Sequence, residues 1–203
     1  MSLYLKNKKL LEKNYSYDPS LEHDACGVGL ITSLDGKKRR DVVEYGIQSL
    51  RAVWHRGAVD ADGKSGDGAG ICIEISRDFF LEKIKDTGHE HNSNEDICVG
   101  MIFLPRTEYT DQEKSKTIVE QVLLENNFYI YGWRQVPVNP SVLGSTADSN
   151  RPEITQVIFK SNNNLERDKL ERLLFVARKK ILKVTRSQQI NDFYICSLSS
   201  RSI

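Results

Sequence analysis

The sequence predicts one globular domain that combines α-helices with β-strands. From residue 26 onward, apolar segments of strand length alternate with amphipathic segments of helical period. Hydrophobic residues make up 39% of the 203 residues and charged residues 28%, which is typical of a soluble globular protein. A chain of this length can bury about 70% of its unfolded surface in a single core. We therefore expect one folded domain.

The segment before residue 26 does not follow this alternation, and we predict that it is a leader. Residues 1–25 carry four lysines and four acidic residues and lack the apolar run of a secretory signal. The same acidic residues are unusual for an organelle transit peptide. We expect the domain itself to cover residues 26–203.

The predicted elements follow one another in a regular order. A strand over CGVGLITSL, at 26–34, ends in a turn, and a core-facing helix over 41–56 follows with Asp41 as candidate N-cap. A strand at 71–75 and a short helix at 79–84 come next. The remaining elements are strands at 97–105, 128–138, 154–161 and 192–199 and helices at 111–126 and 165–186.

Charge and hydropathy exclude two classes of partner. The chain has 29 basic and 28 acidic side chains, a net charge of +1, so no overall field would attract nucleic acid or an anionic membrane. The longest apolar run is far shorter than the roughly 20 residues that span a bilayer. Specific binding must therefore come from a local site.

The cysteines indicate a reducing, cytoplasmic setting. They lie far apart, at positions 26, 72, 98 and 196, and fit neither a zinc site nor a disulfide framework. The last three lie inside predicted apolar strands, where cysteine usually fills space. Cys26 differs because Gly27 and Gly29 leave room for a substrate or another backbone to approach. It is a candidate nucleophile, although the residues alone leave a packing role open.

The loop at 57–70, GAVDADGKSGDGAG, contains five glycines and three aspartates. It lacks the preceding strand and the Lys-Ser/Thr pair of a phosphate-binding loop. As a calcium loop starting at Asp60 it has Lys64 at a ligand position and Ile71 in place of the terminal glutamate. A flexible surface loop remains open, but the aspartates favour turns held by side-chain hydrogen bonds near a site.

The other basic residues have simpler explanations. His89 and His91 lie in a polar stretch and are expected to be solvated, so no metal site is predicted. His55 and Arg56 end the predicted helix at 41–56 and could stabilise its last carbonyl groups electrostatically.

Four strings closely resemble the start of the large subunit of the glutamate synthases: YDPSLEHDACGVGLI, HRGAVDADGKSGDGAGI, GWRQVPVNPSVLG and DFYICSLSSR. The resemblance covers nearly the whole chain and implies a class II glutamine amidotransferase domain. Its fold would be of the α+β class, the four-layer αββα arrangement of the N-terminal-nucleophile hydrolases. The resemblance implies that Cys26 is the catalytic nucleophile and that Arg56, Gly27 and Asp67 shape the site.

The resemblance also implies a reason for the leader, because the base in such enzymes is the α-amino group of the nucleophile itself. While Ala25 is attached, this group is an amide. Once free, it has a pKa of about 7.7–8.0 and can accept the proton of a thiol whose pKa is about 8.5. The thiolate would attack the side-chain amide of glutamine and release ammonia for a synthase domain.

The family implies further cofactors and partners outside this segment. FMN and an iron-sulfur cluster belong to the synthase domains of the same polypeptide, and a reductase subunit or ferredoxin would supply electrons. No Asn-Gly oxyanion pair and no HQR string for the glutamine carboxylate occur here, so we expect both downstream and little activity from this chain alone. Two alternatives remain: an unprocessed docking or regulatory domain, and another class II enzyme such as asparagine synthetase or amidophosphoribosyltransferase.

Overall fold

The computed structural model describes residues 3–14, 27–53, 57–92 and 95–203. The chain divides into two compact units, residues 1–56 and 57–203. The described elements make an α+β fold with one antiparallel sheet, which lies in the second unit. None of the described helices is both long and apolar enough to cross a membrane.

The first unit contains helices α1 (Leu3–Asn14) and α2 (Arg40–Ala52). The predicted N-cap was wrong, because α2 begins at Arg40 and Asp41 lies in its first turn, where its carboxylate accepts a hydrogen bond from the Val42 amide at 2.9 Å. An acidic side chain at this end of a helix is favourable because it faces the positive end of the helix dipole. No residue of α2 is buried, so the predicted core-facing role is not met within its described length.

The predicted strand at 26–34 was wrong over its described part. Residues 27–33 are irregular, and a turn follows at Leu34-Asp35 with Gly36 at a φ of 66°. Gly36 donates a backbone hydrogen bond to the Ser33 carbonyl at 3.3 Å, so the turn itself is confirmed. A positive φ is a conformation that glycine adopts without the steric cost of a Cβ atom.

The second unit is built on four strands in the spatial order β2-β3-β1-β4. The strands are β1 (Cys98–Leu104), β2 (Phe128–Gln135), β3 (Glu153–Ser161) and β4 (Tyr194–Ser199), and all neighbouring pairs are antiparallel. All four were predicted from their apolar runs. Their central members β1 and β3 are the most completely buried, as expected for strands with a neighbour on each side.

Two long helices cover one face of this sheet. They are α4 (Tyr109–Glu125) and α6 (Arg167–Ser187), both close to their predicted bounds. Each presents apolar residues at helical spacing, and the rings of Phe128 and Phe159 meet edge to face with centroids 5.2 Å apart in the same core. The buried apolar residues of the two helices are Ile118, Val119, Val122, Leu123, Leu170, Leu174, Ala177 and Ile181.

The opposite face carries the shorter helix α3 (Arg77–Asp86), which contains the predicted segment 79–84. Its buried residues Phe80 and Ile84 pack with Val99 and Ile158 of the sheet in a second, smaller core. A short α5 (Ser145–Ser149) follows a 3-10 turn between β2 and β3.

The predicted strand at 71–75 is reduced to a single bridge between Glu74 and Ser202. Its backbone still exchanges two hydrogen bonds of 2.9 Å between Ile73 and Ile203. The apolar pattern identified an extended segment, but the pairing is too short to make it a regular strand.

Candidate functional site

The structure describes two of the four predicted site residues. Cys26 and Arg56 lie outside the described residues. Gly27 is exposed, and a Cβ atom added there would lie 3.9 Å from Val53, an ordinary contact. Space alone therefore does not require glycine at position 27, and any role in admitting a ligand stays a prediction.

Asp67, the other described site residue, closes the base of the glycine-rich loop. Its Oδ2 accepts a hydrogen bond from the Ala58 amide at 2.9 Å, and Val59 and Gly66 form an antiparallel bridge next to it. A Cβ atom on Gly66 would lie 2.9 Å from the Ala58 carbonyl oxygen, too close for any side chain. Residues 57–67 thus form a small closed loop, and the prediction that aspartates hold its turns is confirmed.

Asp62, at the tip of this loop, is the residue that the sequence prediction missed. Its Oδ1 accepts hydrogen bonds from the amides of Lys64 at 2.9 Å and Ser65 at 2.6 Å. Its Oδ2 accepts from the Ser65 hydroxyl at 2.6 Å, the Thr146 amide at 3.2 Å and the Ser145 hydroxyl at 3.4 Å. These donors, the Ser65 side chain first, hold the pKa of Asp62 well below its usual range.

Ser65 and Gly144 complete this junction between distant parts of the chain. Ser65 is buried, and its hydroxyl oxygen also accepts a hydrogen bond from the Ala147 amide at 2.9 Å. A Cβ atom on Gly144 would lie 2.5 Å from the Ser65 nitrogen and would overlap the Asp62 carboxylate as well. We call the contact of Asp62 and Ser65 with residues 144–147 the loop clamp.

An open depression of about 510 Å³ lies beside the loop clamp, between the loop and α5. Its rim includes the carboxylates of Asp60 and Asp67, which give it negative character. Other residues of the loop and of the segment 146–150 complete the lining. Such a surface suits an amino group or another cation better than an anion.

A second polar cluster surrounds His91, whose side chain is only 1% exposed. Its Nδ1 lies 2.6 Å from the Tyr131 hydroxyl, and its Nε2 lies 3.1 Å from the Glu95 carbonyl oxygen. Arg77 Nη2, which can only donate, lies 3.3 Å from the same Nε2. The neutral ring carries one proton, so one ring nitrogen donates a hydrogen bond and the other accepts one. Burial lowers the pKa of His91, so this neutral form is favoured. The prediction that His91 is solvated was wrong.

The described cysteines divide into one buried and two exposed. Cys98 is fully buried in β1, and burial raises the pKa of its thiol, so its predicted packing role is confirmed. Cys72 and Cys196 are exposed, and the packing prediction for them was wrong. Cys72 lies in the segment that forms only one bridge, and Cys196 lies on the edge strand β4 of the described sheet. No group of three or more metal-ligating side chains occurs in the described ranges.

Comparison with known proteins identifies one family. The family model for class II glutamine amidotransferases matches residues 26–203. The chain is 50% identical over 197 residues to the large chain of an NADPH glutamate synthase from Azospirillum brasilense, covering 97% of this chain and 13% of that protein. It is 41% identical over 185 residues to a ferredoxin-dependent glutamate synthase from Pyropia yezoensis, covering 90% of this chain and 12% of that protein. The chain therefore spans only a small part of the length of these relatives.

Proposed function

The chain belongs to the class II glutamine amidotransferases, and we propose that it forms part of the glutamine-hydrolysing domain of a glutamate synthase. One observation carries the proposal: the family match begins at residue 26, the position of the cysteine that the sequence predicts to be the nucleophile. The similarity to two kinds of glutamate synthase supports this enzyme over asparagine synthetase or amidophosphoribosyltransferase.

In the proposed reaction, cleavage after Ala25 first frees the α-amino group of Cys26. This amine takes the thiol proton, and the sulfur attacks the side-chain carbonyl carbon of glutamine. The carbon–nitrogen bond breaks as the amine gives the proton to the leaving nitrogen. Ammonia departs, and a γ-glutamyl thioester remains on Cys26. Water then attacks the thioester and releases glutamate and the free thiol. The roles of Arg56, Gly27 and Asp67 in shaping the site remain predictions from the family resemblance.

The architecture of the second unit is consistent with half of a four-layer αββα fold. Its antiparallel sheet carries α4 and α6 on one face, as an outer helical layer and an inner sheet would require. Among the described residues of this unit, the other face carries only α3 and a smaller core. We propose that a second sheet, part of it supplied by residues outside 1–203, packs on this face.

The ammonia would serve a synthase domain of a longer cytoplasmic polypeptide, which binds FMN and an iron-sulfur cluster and aminates 2-oxoglutarate. A cluster requires several thiolate ligands close together. The described residues contain no group of three or more metal-ligating side chains, so they do not fit a cluster site. Electrons would come from NADPH through a reductase subunit, or from ferredoxin, since one relative is named for NADPH and another for ferredoxin.

The test is to express the complete polypeptide and measure three quantities: its intact mass, glutamate release from glutamine, and glutamine-dependent amination of 2-oxoglutarate. We expect a mature chain that begins at Cys26 and loses glutamine hydrolysis in Cys26→Ala. A folded product that keeps residues 1–25 and shows no Cys26-dependent hydrolysis would instead support a docking or regulatory domain. Hydrolysis without 2-oxoglutarate amination would indicate another class II enzyme.

The 203-residue chain itself provides a second comparison. We expect little glutamine hydrolysis from it, because the Asn-Gly oxyanion pair and the HQR arginine are absent. Measurable hydrolysis that disappears in Cys26→Ala would show that these downstream groups are dispensable.

A further inference from the structure

Helix α6 concentrates positive charge that the rest of the chain balances. Eight of its 21 residues are basic and two are acidic, although the whole chain has a net charge of only +1. The neighbouring helix α4, on the same face of the sheet, has two basic and four acidic residues. Charge is therefore segregated on this face, and α6 supplies a local positive surface that the overall composition conceals.

Four of the basic side chains lie on one line along the outside of α6. They are the exposed residues Arg172, Lys179, Lys183 and Arg186. Their spacing of seven, four and three residues places them on one side of a helix with 3.6 residues per turn. At 1.5 Å per residue, the line is about 21 Å long.

Two apolar side chains are exposed on the same side of the helix. Phe175 is 57% exposed and Val176 is 58% exposed. The ammonium group of Lys179 lies 5.4 Å from the centroid of the Phe175 ring, a cation–π contact. An apolar centre with a charged rim is typical of protein–protein interfaces, in which aromatic residues and arginine are enriched. We define the basic stripe as Arg172, Phe175, Val176, Lys179, Lys183 and Arg186.

In the part of the chain that the structure describes, the four cations of the basic stripe form no ion pair. The ion pairs of α6 involve other residues, such as Lys169 with Glu166 at 3.5 Å and Lys180 with Glu125 of α4. The positive charge of the stripe is therefore available to a second surface.

The spacing within the basic stripe is unfavourable for the isolated chain. Lys179 and Lys183 are four residues apart, and Lys183 and Arg186 are three apart, so these like charges repel. The negative end of the helix dipole offsets the repulsion only in the last turn, which contains Arg186. Carboxylates on a docked surface would offset it along the whole stripe.

Two other classes of anionic partner fit the basic stripe less well. A helix that lies on a membrane buries its apolar face in the lipid, but the apolar face of α6 already packs in the core of the sheet. Nucleic-acid-binding domains are strongly basic overall, whereas this chain has a net charge of +1. Carboxylates on a protein surface are the anions that suit a stripe with an apolar centre.

The size of the basic stripe favours a partner within the same polypeptide. A strip about 21 Å long and about 10 Å wide covers about 200 Å², whereas a stable complex of separate proteins needs about 800 Å² on each partner. A linked domain needs less, because the link gives it a high effective concentration. The chain covers only 13% and 12% of the two glutamate synthases that it matches, so most of each relative lies outside the matched segment.

We propose that the basic stripe is the docking surface for an acidic surface of another domain in the same complete polypeptide. This inference rests on the proposed function, because it requires the chain to be part of a longer glutamate synthase. Carboxylates of that domain lie against the four cations, and its apolar side chains cover Phe175 and Val176.

The first experiment measures the accessibility of the basic stripe in the complete, processed polypeptide. Lysines are acetylated with an N-hydroxysuccinimide ester, and peptide mass spectrometry gives the rate at each lysine. At low salt we expect Lys179 and Lys183 to react at least about 10-fold more slowly than the exposed Lys114 of α4. Most of this protection should disappear at about 1 M salt, where the Debye length is only about 3 Å.

The second experiment identifies the partner surface by cross-linking with a carbodiimide. The reagent activates a carboxylate, the lysine amine attacks the activated carbon, and a urea leaves as an amide bond forms. Only groups already in contact are joined. A mixture of ¹⁵N-labelled and unlabelled polypeptide separates links within a chain from links between chains. We expect Lys179 or Lys183 to be joined to carboxylates outside residues 1–203 of the same chain.

The third experiment reverses two charges of the basic stripe with Lys179→Glu and Lys183→Glu together. Its readout is the modification of Arg172 and Arg186 by phenylglyoxal, because both arginines remain in the variant. We expect them to react at least about 10-fold faster than in the unsubstituted polypeptide, since like charges then oppose docking. Lys114→Glu is the matched control and should leave both rates unchanged. Should the reversed pair fail to fold, Lys179→Gln with Lys183→Gln carries the same comparison.

Several results would overturn the inference. Equal acetylation of Lys179, Lys183 and Lys114 at low salt would show that the stripe is a solvated face. Protection that persists at high salt, or that yields no cross-link, would show that carboxylates do not cover it. Cross-links only between chains or to a separate protein would place the acidic surface elsewhere. Protection that appears only with added duplex DNA or phosphatidylserine vesicles would assign the stripe to another class of partner.

Glutamine hydrolysis, measured on the same samples, separates this inference from the proposed function. Hydrolysis that depends on Cys26, without protection of the basic stripe, contradicts the docking surface alone. A complete polypeptide without such hydrolysis contradicts the proposed function, whatever the state of the stripe.

Discussion

At Gly100, in the middle of β1, an added methyl group has opposite predicted effects on the stability of the sheet. Strand propensity predicts that the methyl group stabilises the sheet, whereas the packing in the structure predicts that it destabilises the sheet. Glycine weakens a strand interior, so Gly100→Ala would ordinarily stabilise the sheet by about 0.5–1 kcal/mol. In the structure Gly100 lies opposite Val157 on β3 and opposite Leu198 on β4. A Cβ atom added to Gly100 would lie 2.8 Å from a methyl carbon of each.

The magnitude follows from these two contacts. Carbon atoms pack best about 3.5–4.0 Å apart, so each contact would be short by about 0.7–1.2 Å. Val157 is fully buried and Leu198 is 7% exposed, so neither methyl group can move into solvent. Overpacking of this kind costs about 1–3 kcal/mol, which exceeds the propensity gain. We expect Gly100→Ala to lower the free energy of unfolding by about 1–2 kcal/mol.

Urea unfolding of the 203-residue chain, followed by circular dichroism, measures this change. With an m-value of about 2 kcal/mol/M, the midpoint should fall by about 0.5–1 M while the slope stays constant. Gly70→Ala is the control, because no atom lies within 4 Å of its added Cβ, and its midpoint should hardly move. A higher midpoint for Gly100→Ala than for the unsubstituted chain would refute the register of β1 with its neighbours β3 and β4.

Two further predictions concern titratable groups. Burial lowers the pKa of His91 in the folded chain below its ordinary value of 6.5. Between the folded and unfolded pKa values of His91, the unfolded chain therefore binds more protons than the folded chain. The free energy of unfolding should fall as the pH drops below about 6.5. His91→Gln should reduce this loss between pH 7 and pH 5 in urea midpoints, and an unchanged pH slope would contradict the buried neutral ring. Iodoacetamide should alkylate Cys72 and Cys196 in the native chain but Cys98 only after unfolding, since Cys98 is buried and its thiol pKa is raised. Native labelling of Cys98 in peptide mass spectra would show that β1 is not central.

The sheet could be predicted from sequence where its signal is local. The four strands and the helices α3, α4 and α6 each have apolar residues at the spacing typical of a strand or a helix. This spacing is a property of the segment itself and does not depend on the elements against which the segment packs. The segments at 26–34 and 71–75 have equally apolar patterns. They were mispredicted because a strand also requires a neighbour with free hydrogen-bonding groups along its length, which no pattern within the segment reveals.

The candidate site was predictable only in part. The strings around Cys26 and in the glycine-rich loop indicated the family. Asp62 was missed because its partners lie 83 and 84 residues away, although the spacing of Asp62 and Ser65 does signal a side-chain-held turn. His91 was misjudged because its sequence neighbours are polar, whereas its burial depends on Tyr131, 40 residues further along the chain.

In the proposed reaction Cys26, with its own free α-amino group, is the nucleophile that opens the glutamine amide. Acid quenching of the complete polypeptide during turnover of glutamine, followed by peptide mass spectrometry, tests it most directly. We expect a γ-glutamyl thioester on a peptide whose first residue is Cys26, and none in Cys26→Ala. A glutamyl adduct on another residue, or turnover by a chain that still carries Ala25, would contradict it.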